Sequence, residues 1–195
     1  MSSAATATRR SQILEAAAEL FSESGSAGTS IAAVAARVGI SDAGVLYHFP
    51  TKEQLLLGVL GRYARGVEED IEATGVRGIE LLRLVREWGA GMEDTPEVSA
   101  LLIKLGAEHL SADGSAARQL LQEAYHRLLD RYISAFATAA SRGDLRADLD
   151  PVHEASALVA HLDGIRLQWF MSDRTISMAD SVRRYVDATL ERLAP

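Results

Sequence analysis

The chain contains no cysteine and only four prolines in its 195 residues. The lack of cysteine excludes a disulfide framework, a zinc site with thiolate ligands and a cysteine nucleophile. No segment approaches the roughly 18 consecutive apolar residues of a membrane span, and the first eight residues lack the apolar stretch of a signal peptide. We therefore expect a cytoplasmic protein with no membrane partner.

Lysine is also scarce, with two lysines beside 18 arginines, and the net charge is −7. Residues 1–53 carry four basic and five acidic side chains. This balance argues mildly against a nucleic-acid partner, because nucleic-acid-binding proteins usually have a basic surface. It predicts that any binding to DNA depends on few cationic contacts per subunit.

Hydrophobic periodicity predicts helices along the chain and no alternating strand pattern, so the expected fold class is all-α. Few prolines and 48% hydrophobic residues suit a helical, globular protein. The predicted helices span about 9–24, 31–38, 42–48, 52–73, 78–92, 97–110, 115–141, 151–171 and 178–193.

Residues 30–49 have the pattern of two short helices joined by a glycine turn. The apolar residues of 31–38 share one helical face, and Gly39 supplies the permissive backbone that a sharp turn needs. Ser30 and Ser41 are placed to cap the two helices, and Thr51 with Gln54 forms a capping box for the next helix. This pattern is typical of a helix-turn-helix, whose second helix lies in the major groove of DNA.

Together with the run Tyr47-His48-Phe49-Pro50-Thr51-Lys52 and the helical remainder, this motif resembles the TetR family of transcriptional regulators. Many relatives have an aromatic residue where this chain has Leu46. Residues 1–8 are small and polar, and we expect them to form a disordered tail. The resemblance implies a three-helix DNA-binding domain at 9–53. An effector-binding and dimerisation domain would follow at 54–195. It further implies a homodimeric repressor that an apolar or aromatic small molecule releases from a double-stranded DNA operator.

The first turn of the presumed recognition helix holds four candidate DNA contacts. Ser41 could bond a base or a phosphate, and Asp42 could accept a hydrogen bond from the amino group of cytosine. Both could instead serve mainly as helix caps. Ala43 and Gly44 are small, which permits close approach and contact with thymine methyl groups.

The end of that helix and its flanks hold the remaining DNA candidates. By resemblance, Tyr47 and His48 would contact the DNA backbone, although His48 could equally pack in the core. Lys52 lies in the first turn of the next helix, where its charge opposes the helix dipole, so a phosphate partner is expected. Ser30 and Arg37 are candidates for flanking backbone contacts.

The C-terminal helices raise two further expectations, both implied by the resemblance. The last two helices would form a dimer interface through Val152, Ala155, Val159, Leu162, Val182, Tyr185, Val186 and Leu190. The middle helices would line an effector pocket with Trp88, Leu105, His109, Tyr125, His126, His161, Asp163 and Trp169. The alternative for both sets is that they close the core of a single protomer. A buried Asp163 would need a partner such as Arg166 or His161.

Two other classes of function are alternatives. Glu123 and His126 have the spacing of the Glu-x-x-His ligands in di-iron helical bundles, but the chain has no second copy. We expect no metal, no cofactor and no enzyme activity. A helical adaptor that binds a protein partner is the stronger alternative, and the negative charge favours it.

Overall fold

The computed structural model describes the backbone of residues 3–62, 75–94, 96–110 and 115–195. The side chains of residues 3–7, 88, 97, 98, 105, 106, 108–110 and 117 lie outside this description. Every regular element in the described ranges is a helix, so the predicted all-α class is confirmed. None of the described helices is both long and apolar enough to cross a membrane.

Nine helical segments make up the described chain. They are α1 (Ser3–Gly28), α2 (Ile31–Val38), α3 (Asp42–His48), α4 (52–62), α5 (Ile79–Asp94), α6 (Pro96–Leu110), α7 (Ala116–Ser141), α8 (Pro151–Met171) and α9 (Met178–Arg192). The bounds predicted for α2 and α3 are confirmed. The predicted extension of α4 to about residue 73 lies outside the described residues.

Helix α1 is longer than its sequence pattern indicated. It begins at Ser3, so residues 3–8, which were predicted to form a disordered tail, belong to the helix. The physical reason is that three of the six residues at 3–8 are alanine, which has the highest helix propensity. The predicted break at Gly25 appears as a non-helical kink (φ 72°, ψ 175°), beyond which the helix continues to Gly28.

The chain forms two compact units. Unit 1 contains 1–67 and 97–123, and unit 2 contains 68–96 and 124–195. The sequence-based division had placed 97–123 in the C-terminal domain. The segment belongs to unit 1 because the fully buried Leu101 joins the apolar cluster of α1 to α4, with Leu120 and Leu121 against its edge.

The core of unit 1 positions the helix-turn-helix. Ile13, Ala17 and Phe21 of α1 are fully buried together with Val34 of α2 and Val45 of α3. Gly58 of α4 lies so close to its neighbours that an added Cβ would sit 2.8 Å from the Phe49 ring and 2.9 Å from Leu14. The three-helix arrangement therefore rests on close contacts that a larger residue at 58 would disturb.

Unit 2 has its own apolar core, built from α5, α7, α8 and α9. Tyr132 and Phe136 of α7 are its largest fully buried side chains. Helices α5 and α9 approach closely at Gly89, where an added Cβ would lie 2.6 Å from the backbone of Met178 and Ala179. Asp150 caps α8 by accepting hydrogen bonds from two backbone N–H groups of its first turn, and Pro151 follows it.

Candidate nucleic-acid interface

The turn between α2 and α3 has the geometry that the glycine predicted. Gly39 adopts a left-handed backbone (φ 73°, ψ 37°), and its N–H points at the carbonyl oxygens of Ala35 and Ala36. Ile40 N–H donates to the Ala35 carbonyl at 3.0 Å. These bonds satisfy the last carbonyls of α2 and fix the direction in which α3 departs.

Both predicted serine caps are present. Ser30 Oγ accepts a hydrogen bond from Ala33 N–H at 3.1 Å, and Ser41 Oγ accepts one from Gly44 N–H at 3.2 Å. Both serines are exposed, and each hydroxyl still has a proton to donate. Capping and contact with a phosphate or base are therefore compatible at both positions.

Helix α3 presents one face to solvent and one to the core. Val45 is fully buried, whereas Asp42, Ala43, Leu46 (40% exposed) and Tyr47 (80% exposed) are exposed to solvent. We call these four residues the outer face of α3. Their spacing of three and four residues makes the face continuous.

Gly44 does not belong to this outer face. It is half-buried, and a Cβ built on it would lie 3.4 Å from Ile40 Cδ1 and 3.5 Å from Ser41 Oγ. Gly44 thus faces the turn, and its contribution is the N–H that Ser41 caps. Its predicted DNA contact stays a prediction that this placement does not favour.

The C-terminal end of α3 holds an aromatic cluster. His48 is half-buried and lies edge-on to Tyr47, with ring centroids 5.2 Å apart. Phe49 is buried, and the guanidinium of Arg10 lies 4.7 Å from the centre of its ring. The exposed Tyr47 can therefore reach a ligand freely, while His48 serves partly to hold its ring.

Arg37 has an intramolecular partner that the sequence did not indicate. Its Nη1 lies 2.5 Å from Glu19 Oε2, and its Nη2 lies 3.9 Å from Glu23 Oε1. All three side chains are well exposed, so the ion pairs are screened by water and weak. A phosphate could compete with these carboxylates for Arg37.

The only two lysines of the chain both donate to carbonyls near the end of α1. Lys104 Nζ bonds the carbonyl oxygens of Ser22 (2.5 Å) and Glu23 (2.7 Å), and Lys52 Nζ lies 3.4 Å from that of Ala27. These contacts place ammonium donors on carbonyls before the kink at Gly25 and on one near the C-terminal end of α1. The long Lys52 bond still leaves donors for a phosphate.

Most of the residues predicted for the dimer interface are buried inside the protomer. Ala155, Val159, Leu162, Val182 and Val186 belong to the core of unit 2. That prediction is wrong for these five, because a side chain already enclosed by its own protomer cannot form a surface for another. Of the other three, Val152 is exposed, and Tyr185 and Leu190 are half-buried.

The predicted pocket residues have varied surroundings. Trp88, Leu105 and His109 have side chains outside the described set, while Tyr125 and His126 are exposed on α7. His161 stacks on Tyr185, with ring centroids 4.1 Å apart, and its Nε2 lies 3.3 Å from Ser181 Oγ. Burial lowers the pKa of the His161 imidazole. Trp169 is buried in the core of unit 2.

Asp163 is exposed, so the expectation of a buried carboxylate is wrong. It pairs with Arg166 one turn later at 3.0 Å, which is one of the partners expected for it. The physical reason for the exposure is that α8 turns Leu162 and Ile165 inward, which leaves Asp163 on the solvent side of the helix.

The described part of unit 2 contains a small void of about 10 Å³. Such a volume would hold at most one water molecule. It is lined by Leu82, Phe136, Leu158, Tyr185, Val186, Thr189 and Leu190, none of which was predicted to line an effector pocket.

Two family models match the chain over separate ranges. Residues 13–59 match the model of bacterial regulatory proteins of the tetR family. Residues 80–195 match the model of the C-terminal part of BetI-type transcriptional repressors.

Curated relatives agree with these matches. The HTH-type transcriptional regulator TtgR of Pseudomonas putida is 26% identical over 200 residues, covering 95% of this chain and 92% of that protein. The HTH-type transcriptional regulator RutR of Escherichia coli is 40% identical over 58 residues, which cover 30% of this chain and 27% of that protein.

Solved structures have the same fold. A transcriptional regulator from Saccharomonospora viridis, solved with choline, has a TM-score of 0.78 at 25% identity and covers 95% of this chain and 96% of its own. SmeT, the repressor of the Stenotrophomonas maltophilia multidrug efflux pump SmeDEF, has a TM-score of 0.78 at 22% identity, covering 95% and 90%.

Proposed function

Because the chain belongs to the TetR family of transcriptional regulators, we propose that it is a cytoplasmic, homodimeric repressor that a small molecule releases from DNA. The observation that carries this proposal is the outer face of α3. A seven-residue helix is anchored through Val45, capped by Ser41 and turned outward by Gly39. These features support its insertion into a major groove.

The contacts with the DNA backbone come from Tyr47 of this face and from the residues that flank it. Tyr47 donates its hydroxyl to a phosphate, and Ser30 and Ser41 donate theirs while they cap their helices. Lys52 and Arg37 supply charge once a phosphate competes with their intramolecular carbonyl and carboxylate partners. This small cationic set fits a unit whose net charge is close to zero.

A second copy of the chain binds at the solvent side of α8. Ala157, Ala160, Gly164, Leu167 and Met171 recur every three or four residues along that side, and we call them the α8 seam. Leu167 is 49% and Met171 79% exposed, and a Cβ built on Gly164 would have nothing within 4 Å. Small residues allow close helix approach, and the two apolar side chains supply area to bury.

A two-fold dimer suits the proposed DNA target. Paired recognition helices about 34 Å apart would enter successive major grooves on one side of the duplex. The effector would bind the C-terminal part of the chain and favour a dimer conformation with a different spacing. Only a difference in effector affinity between the two conformations can drive that change, and a coupling of about 1–3 kcal/mol is typical.

The experiment measures binding of the full chain to a duplex from upstream of its own gene, at several salt concentrations. The logarithm of the binding constant should fall steeply with the logarithm of salt, by about 0.9 for each phosphate contacted. Tyr47→Phe, which keeps the ring and removes the hydroxyl, should bind several-fold more weakly with an unchanged circular dichroism spectrum. Light scattering should give the mass of a dimer.

Choline is the first effector to test, because the relative from S. viridis was solved with it. A panel of apolar and aromatic compounds follows. An effector should weaken operator binding by about 5- to 150-fold, as the expected coupling implies. The adaptor hypothesis would be favoured instead if the chain bound no duplex, whether from its own upstream region or selected from a random pool.

A further inference from the structure

The outer face of α3 carries an unusual set of chemical groups for a recognition helix. Asp42, Ala43, Leu46 and Tyr47 all point to solvent, and the helix from 42 to 48 contains no arginine, lysine, asparagine or glutamine. Those four residue types are the ones that recognise guanine or adenine by paired hydrogen bonds in the major groove. This helix therefore cannot read purines in that way.

What the face does offer is apolar. Leu46 is 40% exposed, and Ala43 lies one turn before it on the same side. In the major groove only thymine presents an apolar group, its 5-methyl, and side chains such as alanine recognise it by direct contact. Burial of one such methyl group changes affinity about fourfold.

An exposed leucine alone would carry no meaning, because single apolar side chains are common on protein surfaces. Here Leu46 lies between two groups that also suit DNA. Tyr47 next to it is 80% exposed, and Asp42 one turn earlier can accept from the amino group of a cytosine. The full burial of Val45 fixes which residues of the helix point outward.

We propose that Leu46 is a specificity-determining residue that, together with Ala43, selects thymine in each operator half-site through its 5-methyl group. The inference rests on the proposed function, since it names the bases that the DNA-binding face recognises. Thymines opposite this face are contacted by hydrocarbon, and their replacement by uracil removes the contact while leaving base pairing intact.

The test begins with duplexes selected by the full-length protein from a random pool. Each thymine of the selected site is then replaced by deoxyuridine, one at a time, and affinities are measured for the wild type and Leu46→Ala. The wild type should lose about fourfold at one or two positions in each half-site. Leu46→Ala should bind the selected site more weakly than the wild type. Deoxyuridine at the same positions should reduce the affinity of Leu46→Ala by less than about twofold.

Ile176→Ala is the matched control, because Ile176 is 37% exposed, lies in unit 2 and loses a similar amount of hydrocarbon. It should retain the full thymine effect. If the wild type enriches a sequence but no deoxyuridine substitution matters, or Leu46→Ala keeps the whole effect, the inference fails while the proposed function stands. If the wild type enriches no sequence, the proposed function itself fails and this inference with it.

Discussion

Helices α3 and α8 both expose apolar side chains, but they differ in size and in the groups around those side chains. The outer face of α3 combines two apolar residues with a carboxylate and a phenol on a helix of seven residues. The α8 seam has alanine, glycine, leucine and methionine on a helix of 21 residues. A short face with hydrogen-bonding groups suits a DNA groove, whereas a long stripe without them suits another protein helix.

The largest effect is expected from a change that redirects α3 without touching its outer face. Gly39→Val places a β-branched residue at φ 73°, which costs about 1–3 kcal/mol of stability in unit 1. The strain can be relieved only if the turn opens, and α3 then leaves its position. We expect a lower melting temperature and operator binding reduced to that of random DNA, measured by calorimetry and fluorescence anisotropy.

Gly143→Val is the matched control for this change. Gly143 also has a left-handed backbone (φ 77°) with nothing within 4 Å of an added Cβ, but it lies in the loop between α7 and α8. It should cost similar stability and leave operator affinity unchanged within about twofold. Full operator binding by Gly39→Val would show that the assigned turn does not position α3.

The next largest effect is expected at the α8 seam. Leu167→Glu places a charge where the proposed dimer buries a leucine, and the unpaired carboxylate should raise the dimer dissociation constant at least about 30-fold. Light scattering should show a monomer at micromolar concentration, and operator affinity should fall because one recognition helix binds alone. Folding should be unaffected, since Leu167 is exposed in the protomer.

Ala137→Glu introduces the same charge on the exposed side of α7 and should leave the dimer intact. Persistence of the dimer in Leu167→Glu would place the subunit interface elsewhere. A monomeric Leu167→Glu that keeps full operator affinity would show that DNA binding does not depend on the dimer. The α8 seam would then have no role in DNA binding.

The sequence predicted α2 and α3 to the residue because each has a narrow apolar stripe and a clear cap. Val34, Ala35 and Val45 mark the inward faces, Ser30 and Gly39 mark the two ends of α2, and Ser41 marks the start of α3. Helix α8 is different, since it is apolar around most of its circumference. Its periodicity could not tell which side faces its own core, and Ala155, Val159 and Leu162, the three α8 residues assigned to the dimer that are buried, proved to face inward.

Partners that are distant in the chain could not be predicted either. The contacts of Lys104 with Ser22 and Glu23 join residues about 80 positions apart. The only feature of the sequence that sets Lys104 apart is its residue type, since 18 of the 20 basic residues are arginine. The three donors of the ammonium allow Lys104 to bond both carbonyl oxygens at once.

A smaller effect is expected from Lys52→Ala. Loss of one phosphate contact per subunit should weaken binding to every duplex alike and reduce the salt slope by about 0.9 per subunit. The loss of the 3.4 Å bond to Ala27 should lower stability only slightly. Lys52→Arg, which keeps the charge, should retain the slope, and an unchanged slope in Lys52→Ala would assign this lysine to α1 alone.

The smallest effect is expected from Glu19→Gln, and its sign is the informative part. The substitution removes the carboxylate that lies 2.5 Å from Arg37 and leaves the more distant Glu23. If Arg37 contacts phosphate, affinity should rise by up to about fivefold, because an exposed ion pair is worth at most about 1 kcal/mol. Glu80→Gln breaks the similarly exposed pair with Arg83 in unit 2 and should change nothing. An unchanged affinity in Glu19→Gln would mean that Arg37 serves only to join α2 to α1, and the outer face of α3 would then have one cationic neighbour fewer.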